Sequence, residues 1–383
     1  MLKIAVGHSN DPDSLEAAQE VLEQCNQDLA GQAPQVGLLL TAFDFEHSII
    51  LEQINATFPD LQLIGGTTDG ELSSVLEFQQ DSVTLMLLAS DEVEFQTGVA
   101  RHVSQNPVEL TRQAVVNAQA QLSSDPKFCI AIPESLTASG DDILQGLQTA
   151  LGATVPILGG ATADQAEMKC TYQFFNQEVL QDAVPFLLVG GNVVFSYGVA
   201  SGWTPIGKRS QITKADKNTI YEIDGKPALD FYHYYINNFV PSAAYPLAVF
   251  PAGEDRFFLR GSLTHDPEIG SITVSGDIPT DATVQITEAS LDAIISASKA
   301  ALTDALKHYP GKQPDAALFF SCSWRRYILG TRTKEEYQEI STSLDSNLPI
   351  CGFYTFGELA PLRDGGPTVF HNTTFTTLLL GTP

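Results

Sequence analysis

The sequence predicts an α+β protein of internally duplicated β-α-β-α-β-β units, which form two mixed-sheet domains with outer helices and stacked sheets. The main observation is a phrase that occurs three times: LIGGTT at 63–68, PILGGAT at 156–162 and PICGFYT at 349–355. The second is that the same elements surround each phrase. The third is that the strands read as continuous apolar runs, which indicates sheets covered on both faces. An open, doubly wound sheet is the alternative.

The predicted elements around each phrase follow one order. After an initial strand come a long helix, a buried strand, a second helix, the phrase and a closing strand. In the first long helix, Leu15, Ala18, Leu22, Cys25 and Leu29 recur at helical spacing, which indicates an amphipathic helix. We predict long helices at 14–25, 109–122 and 290–306, buried strands at 36–43, 128–136 and 316–324, second helices at 47–58, 139–151 and 333–344, and closing strands at 83–90, 184–191 and 375–382.

The spacing of the phrases predicts a fourth, degenerate unit. Gly159 follows Gly65 by 94 residues, whereas Gly352 follows Gly159 by 193, close to twice that period. The stretch 193–283 opens with FSYGVA, which resembles FQTGVA at 95–100. We therefore expect two units per domain, with domains at 1–205 and 206–383 and a polar boundary segment at 202–219.

Composition excludes several classes of partner. With 20 basic and 46 acidic residues, the net charge is −26 and no basic cluster is present, which argues against nucleic acid and anionic membranes. No run approaches the roughly 20 apolar residues of a membrane span. Five cysteines without a CxxC pair predict a cytoplasmic location. No metal-ligand spacing is present, so we expect neither a metal nor a cofactor.

Several segments resemble the FIST-domain family. In the C-terminal half these are YEIDGKPALDFYHYY, FFSCSWRRYILG, LPICGFYTFGELAP and FHNTT, and in the N-terminal half LIGGTTDGELSS and ILGGATAD. Ala163 stands where the family usually has a second glycine before the aspartate. The resemblance implies a FIST N-like domain at 1–205 and a FIST C-like domain at 206–383. It also implies a cytoplasmic sensory protein that binds a small molecule such as an amino acid.

Two glutamates occupy equivalent places, because Gly70-Glu71-Leu72 and Gly357-Glu358-Leu359 follow two of the phrases. Glu71 and Glu358 are candidates to receive a ligand amine or hydroxyl. Alternatively, each carboxylate accepts backbone N–H groups of its own turn. A glycine at a strand end permits a sharp turn or a close approach.

The phrases supply most of the other candidate ligand-binding residues. Threonine hydroxyls can line a pocket, or they can bond to their own loops. Tyr354 is bulkier than its equivalents in the other phrases, which is typical of a specialised binding face or of drift. The candidates of this group are Gly65, Thr68, Thr162, Asp164, Gly352, Tyr354 and Thr355.

Arg325 directly follows the predicted strand 316–324, where an arginine can clamp a carboxylate with two parallel hydrogen bonds. A salt bridge to a protein carboxylate is the alternative. Cys322 lies three residues earlier, and we expect a buried structural thiol rather than a nucleophile.

The sequence favours a cytoplasmic, non-catalytic protein that senses a small molecule and signals through a separate output protein. We expect this small molecule to carry a carboxylate that Arg325 clamps. An enzyme that uses Cys322 or a turn threonine is the first alternative. A protein-interaction scaffold is the second.

Overall fold

The structure is a computed structural model that describes residues 2–237, 240–363 and 365–383. Helices account for 26% of it and strands for 37%, and the strands form several mixed sheets. The predicted α+β class is therefore confirmed.

The described residues contain three copies of one unit, each with a short hairpin between its third strand and its closing strand. The first unit comprises β1 (Lys3–Ser9), α1 (Ser14–Leu29), β2 (Val36–Thr41), α2 (His47–Thr57), β3 (Gln62–Thr67), β4 (Glu71–Ser73), β5 (Glu77–Gln79) and β6 (Val83–Ala89). The second comprises β7 (Val93–Arg101), α3 (Pro107–Gln119), β8 (Phe128–Ala131), α4 (Gly140–Leu151), β9 (Ile157–Gly160), β10 (Gln173–Phe175), β11 (Glu178–Leu180) and β12 (Ala183–Gly191).

The third unit is interrupted after its first strand. It begins with β13 (Val194–Ala200), and an inserted sheet follows, with β14 (Thr204–Asp216), β15 (Thr219–Ile223), β16 (Lys226–Pro227), α5 (Ala228–Ile236), β17 (Leu247–Phe250), β18 (Phe258–Arg260), β19 (Ser262–Asp266), β20 (Ser271–Val274) and β21 (Thr283–Glu288). The unit resumes with α6 (Leu291–His308), β22 (Ala316–Cys322), α7 (Ser323–Leu329), α8 (Lys334–Ser341), β23 (Ile350–Thr355), β24 (Glu358–Pro361), β25 (Thr368–His371) and β26 (Phe375–Gly381).

The predicted fourth unit is wrong. β13, which contains FSYGVA, is the opening strand of the third unit, because it pairs with the closing strand β26 as β7 pairs with β12. The strands of 204–288 form a separate antiparallel sheet, in the order β18-β17-β21-β14-β15-β20-β19. The doubled spacing between Gly159 and Gly352 thus reflects an insertion. The predicted helix over 227–239 corresponds to α5, and Asn238 and Phe239 lie outside the described residues.

The three units exchange their hairpins in a cycle. The first six-stranded sheet has the order β1-β6-β2-β3-β10-β11, the second β25-β24-β9-β8-β12-β7 and the third β13-β26-β22-β23-β4-β5. Each sheet therefore holds four strands of one unit and the hairpin of another. Strands from the two sides of residue 205 pair with each other, as β4 does with β23 and β9 with β24. The segment 202–219, expected as a polar boundary, contains the long strand β14.

Helices cover the outer face of each six-stranded sheet, and the inner faces share one core. Helices α1 and α2 pack on the first sheet, α3 and α4 on the second, and α6 and α8 on the third. Leu38, Ile130 and Leu318, from the middle strands of the three units, lie buried in the shared core. Apolar residues on both faces explain why the strands read as continuous apolar runs.

The strand-end glycines permit close packing of neighbouring strands. A Cβ atom added at Gly65 would lie 2.0 Å from the Leu39 carbonyl oxygen, and one at Gly159 would lie 2.0 Å from that of Ala131. The recurrence of glycine in the phrases thus has a steric cause.

Candidate functional site

The three repeated phrases meet at one place in the structure. The backbone N–H of Asp69 donates to the Tyr354 carbonyl oxygen at 3.0 Å, that of Ala163 to Thr67 at 2.8 Å, and that of Phe356 to Ala161 at 3.3 Å. Residues 67–69, 161–163 and 354–356, here called the loop ring, are therefore joined in a cycle. The turns of the three phrases, which are far apart in the sequence, are therefore neighbours in the structure.

The threonines of the loop ring bond to nearby chain segments. Thr68 Oγ1 donates to Glu71, and Thr162 Oγ1 donates to Thr171 Oγ1 at 2.8 Å. Thr355 Oγ1 lies 2.7 Å from the Gly357 carbonyl oxygen and accepts from the Gly357 N–H at 2.9 Å. The hydroxyls thus stabilise the turns. Gly65 and Gly352 lie within buried strands.

Glu71, Gln173 and Glu358 occupy equivalent positions in the three hairpins. Each lies opposite the residue that follows a strand-end glycine: Glu71 opposite Phe353, Gln173 opposite Gly66 and Glu358 opposite Gly160. All three are fully buried. Gln173 was not predicted from the sequence, because a long loop separates Thr162 from β10, whereas Glu71 follows Thr68 by only three residues.

Burial raises the pKa of both glutamates to about 8. Hydrogen bonds from Ser82 and Thr68 oppose this rise in the pKa of Glu71, and hydrogen bonds from Thr374 oppose it for Glu358. Ser82 also connects Glu71 to the ring of His8, which lies 2.8 Å from the Ser82 hydroxyl. Neither carboxyl caps the N–H groups of its own turn, but Glu358 accepts the Thr374 N–H at 3.1 Å.

Arg325 is fully buried and bound to protein groups. It lies on α7 rather than at a strand end, since β22 ends at Cys322. Its Nε and Nη2 donate to Glu336, and its remaining N–H groups point to the carbonyl oxygens of Ser201, Ile294 and Thr373. The carboxylate that it clamps is therefore that of Glu336, and the predicted clamp on a ligand is wrong. Tyr354 completes this group by donating to Glu336 at 2.6 Å.

A second buried pair lies beside the loop ring. Asp69 accepts a hydrogen bond from Tyr327 Oη at 2.6 Å, and its Oδ1 lies 3.8 Å from Arg326 Nη1. Neither Asp69 Oδ1 nor Arg326 Nη1 has a hydrogen-bond partner in the described part of the chain. Burial raises the pKa of Asp69. Asp164, also buried, accepts the backbone N–H groups of Met168, Lys169 and Cys170, so it holds its own loop.

Cys322 is fully buried at the end of β22. Burial raises the pKa of its thiol well above the usual range, and the nearby Glu358 adds to that rise. A nucleophilic cysteine needs the opposite shift. The structure therefore gives the thiol no catalytic character.

We expect Cys322 in the native protein to react with N-ethylmaleimide at least about tenfold more slowly than Cys170, because a thiol with a raised pKa forms little thiolate. Cys170 is partly exposed and serves as the internal control. Mass spectrometry of peptides from samples quenched over time at neutral pH measures both rates. Equal rates would contradict the assignment and restore the enzyme alternative.

A cleft with a volume of about 660 Å³ lies next to the loop ring. Its walls come from the loop 134–140 before α4, from α7 and from the inserted sheet. Four aromatic side chains line it: Trp324, Tyr327, Phe356 and Phe370. By contrast, the void at the centre of the shared core has about 20 Å³, which is room for about one water molecule.

Polar groups of the cleft come from all of its walls. Ser323 is 2% exposed, and its hydroxyl lies near the buried carboxylate of Asp69. Asp277 and Lys217 project from the inserted sheet, and Glu134 from the loop before α4. The Glu134 carboxylate accepts the N–H groups of Leu136, Thr137 and Ala138, so it is already satisfied.

Two family models together match most of the chain. A FIST N domain matches residues 9–226, and a FIST C domain matches residues 228–361. The chain belongs to the FIST family. FIST domains are sensory domains of signal transduction. The two FIST matches adjoin inside the inserted sheet, between β16 and α5.

Relatives of this FIST protein occur in bacteria and archaea. Protein Rv0628c of Mycobacterium tuberculosis is 24% identical over 377 residues, covering 94% of this chain and 95% of its own. Protein Mb0898c of Mycobacterium bovis is 23% identical over 380 residues, with the same coverage. Protein MJ1623 of Methanocaldococcus jannaschii is 28% identical over 179 residues, covering 44% of this chain and 34% of its own. Cyanuric acid hydrolase from A. caulinodans aligns over 100% of this chain and 99% of its own at 10% identity, but its TM-score of 0.41 carries no argument.

None of the ten candidate ligand-binding residues predicted from the sequence lines the cleft, although Ser323, Trp324 and Phe356 are their sequence neighbours. The FIST signature segments nevertheless contribute to its lining through other residues: Ser323, Trp324, Tyr327, Phe356 and Phe370. Among the described residues, no group of three potential ligands forms a metal site, and no helix is both long and apolar enough to span a bilayer.

Proposed function

We propose that this FIST protein senses a small molecule that binds in the cleft between the inserted sheet and α7. The cleft itself carries the proposal. Its volume of about 660 Å³ lies within the roughly 300–1,000 Å³ of typical small-molecule sites. Aromatic walls with a few convergent polar groups are the usual composition of such sites.

The position of the cleft supports a sensory role. A ligand there contacts the inserted sheet on one side and α7 on the other, so it stabilises one arrangement of these two parts. The next residues along α7, Arg325 and Arg326, pair with Glu336 and Asp69, which links the cleft wall to the loop ring. A movement of α7 on ligand binding would therefore be transmitted to the loop ring through these buried contacts.

The wider setting is also part of the proposal. We place the protein in the cytoplasm because all five cysteines are free thiols, which is typical of a reducing compartment. We further propose that the bound state is read by a separate signalling protein, since the matched FIST domains are sensory. Amino acids, the class implied by the family resemblance, belong in the first ligand screen.

Trp324 provides a direct test. It is 36% exposed in the cleft, whereas the other tryptophan, Trp203, is 4% exposed. We expect a true ligand to raise the unfolding free energy by about 2.7 kcal/mol at a hundredfold excess over Kd. The same ligand should change the intrinsic fluorescence of the native protein. In Trp324→Phe the fluorescence change should disappear while the thermal shift remains.

The matched control is Tyr234→Ala, which removes an 82% exposed aromatic ring on α5 and should leave binding unchanged. Trp324→Ala should weaken a hit at least about tenfold, since the ring supplies a large contact area. If no compound in a broad metabolite screen shifts the melting temperature, or if Trp324→Ala leaves the affinity of the hits unchanged, the cleft is not the ligand site.

A further inference from the structure

Asp277 differs from the other charged groups that line the cleft, because its carboxylate has no hydrogen-bond or salt-bridge partner among the described residues. Its backbone is fixed, since its N–H donates to Asp141 Oδ2 at 2.8 Å and its carbonyl oxygen accepts from Arg260 Nε at 3.2 Å. In the described part of the chain, no hydrogen bond or salt bridge ends on its side-chain oxygens. Burial raises the pKa of Asp277, and Asp141 and Asp142 add to the rise.

The cations around Asp277 are already paired with other acids. Arg260 Nη2 lies 3.2 Å from Asp141 Oδ1, and Lys217 Nζ lies 3.4 Å from Asp142 Oδ2. Both cations lower the pKa of Asp277 from a distance, but less than burial and the two acids raise it. The negative charge of Asp277 is therefore not matched by a paired cation, and the carboxylates of Asp141 and Asp142 on α4 add further negative charge nearby.

Aromatic faces complete a site suited to a positive charge. The rings of Trp324 and Tyr327 lie 6.1 Å apart at 72° and form adjoining walls, and Phe356 lines the same cleft. A cation over the face of such a ring is attracted by the negative charge of that face, and more strongly when water is excluded. A carboxylate and aromatic rings that line the same cleft therefore favour a ligand that is both apolar and positively charged.

We propose that the ligand of this cleft is an organic cation, an amine or quaternary ammonium, whose charge lies near Asp277 and whose apolar body contacts Trp324 and Tyr327. This inference rests on the proposed function of the cleft and specifies its ligand class. The net charge of −26 also steers cations toward the protein.

The test compares ligands of matched shape and different charge. Choline and benzyltrimethylammonium are the cationic probes, 3,3-dimethylbutan-1-ol is the neutral analogue of choline, and phenylacetate is the anionic probe. Titrations at pH 7.5 follow Trp324 fluorescence and ligand NMR line broadening. We expect at least one cation to bind at least about tenfold more tightly than the neutral and anionic probes.

Asp277→Asn keeps the shape of the side chain and should remove that preference, weakening the cation at least about tenfold while leaving the neutral probe unchanged. The matched control is Asp281→Asn, an exposed acid of the same sheet in a turn with φ of 58°, a conformation that asparagine tolerates. It should bind as the native protein does.

The outcomes separate the two proposals. If neutral or anionic compounds bind in the cleft as tightly as the cations, or if Asp277→Asn changes nothing, the cation assignment is wrong and the cleft remains a ligand site. If these probes and a broad metabolite screen both fail to bind, the proposed function and this inference fail together.

Discussion

Arg325→Leu should destabilise the protein by about 3–5 kcal/mol, the cost of leaving one member of a buried ion pair without its partner. The Glu336 carboxylate, also fully buried, would keep only the hydroxyls of Tyr354 and Ser321. The backbone carbonyl oxygens of Ser201, Ile294 and Thr373 would each lose one N–H donor as well. Urea unfolding followed by circular dichroism measures the change. Arg325→Lys should be milder but still costly, because the charge remains while the planar fork is lost.

Arg332→Leu is the matched control for this experiment. Arg332 also pairs with two carboxylates, Asp292 at 2.8 Å and Glu335 at 2.7 Å, but its side chain is 36% exposed. Exposed pairs contribute about 0–1 kcal/mol, so its loss should have a small effect. Equal costs for Arg325→Leu and Arg332→Leu would show that burial does not make the Arg325 pair important.

The repeat was predictable from the sequence because packing imposes it. A side chain at Gly65 or Gly159 would collide with the neighbouring strand, so glycine recurs. Apolar runs recur because each six-stranded sheet is covered by helices outside and by the shared core inside. These constraints act within a few residues or along one strand, where a sequence pattern records them.

The number of units was not predictable in the same way. The opening strand β13 was recognised by its likeness to β7, but the inserted sheet that follows has almost the length of a unit. Equal spacing therefore suggested a fourth copy. Only strand pairing distinguishes the two cases, and pairing between β13 and β26 joins residues about 180 positions apart along the chain, a separation at which no local sequence pattern operates.

The site was only partly predictable. The phrases that form the loop ring were recognised in the sequence, but Glu336 was not identified as the partner of Arg325, because β22 ends at Cys322, two residues before the predicted strand end. Arg325 therefore lies on helix α7, from which its side chain contacts Glu336 of α8. The cleft was missed because Trp324, Asp277 and Glu134 come from three distant parts of the chain, and none lies in a repeated phrase.

Replacing both Glu71 and Glu358 by glutamine should remove much of the decline in stability with rising pH. Burial raises the pKa of each carboxyl from about 4.5 to about 8 in the folded protein. The folded state therefore holds these protons more tightly than the unfolded chain. Their contribution is fully present below pH 4.5 and is lost as the pH rises through 8. The pKa difference corresponds to about 5 kcal/mol for each group.

The measurement is the unfolding free energy of the native protein and of the double variant at half-unit steps from pH 5 to pH 9. The difference between the two curves isolates the two carboxyls from other titrating groups such as His8 and His371. Glutamine is a suitable replacement because Gln173 already occupies the third equivalent position, where its amide donates to Thr162 and Thr171 and accepts from the Ala183 N–H.

Gln173→Glu is the reverse experiment at the same structural position. It adds a third buried carboxyl, so it should cost little at pH 5, where the group is protonated, and several times more at pH 8. If the Glu71→Gln/Glu358→Gln variant keeps the native slope between pH 5 and pH 8, the two carboxyls are ionised in the folded state. Their hydroxyl partners would then stabilise the charge more than burial disfavours it.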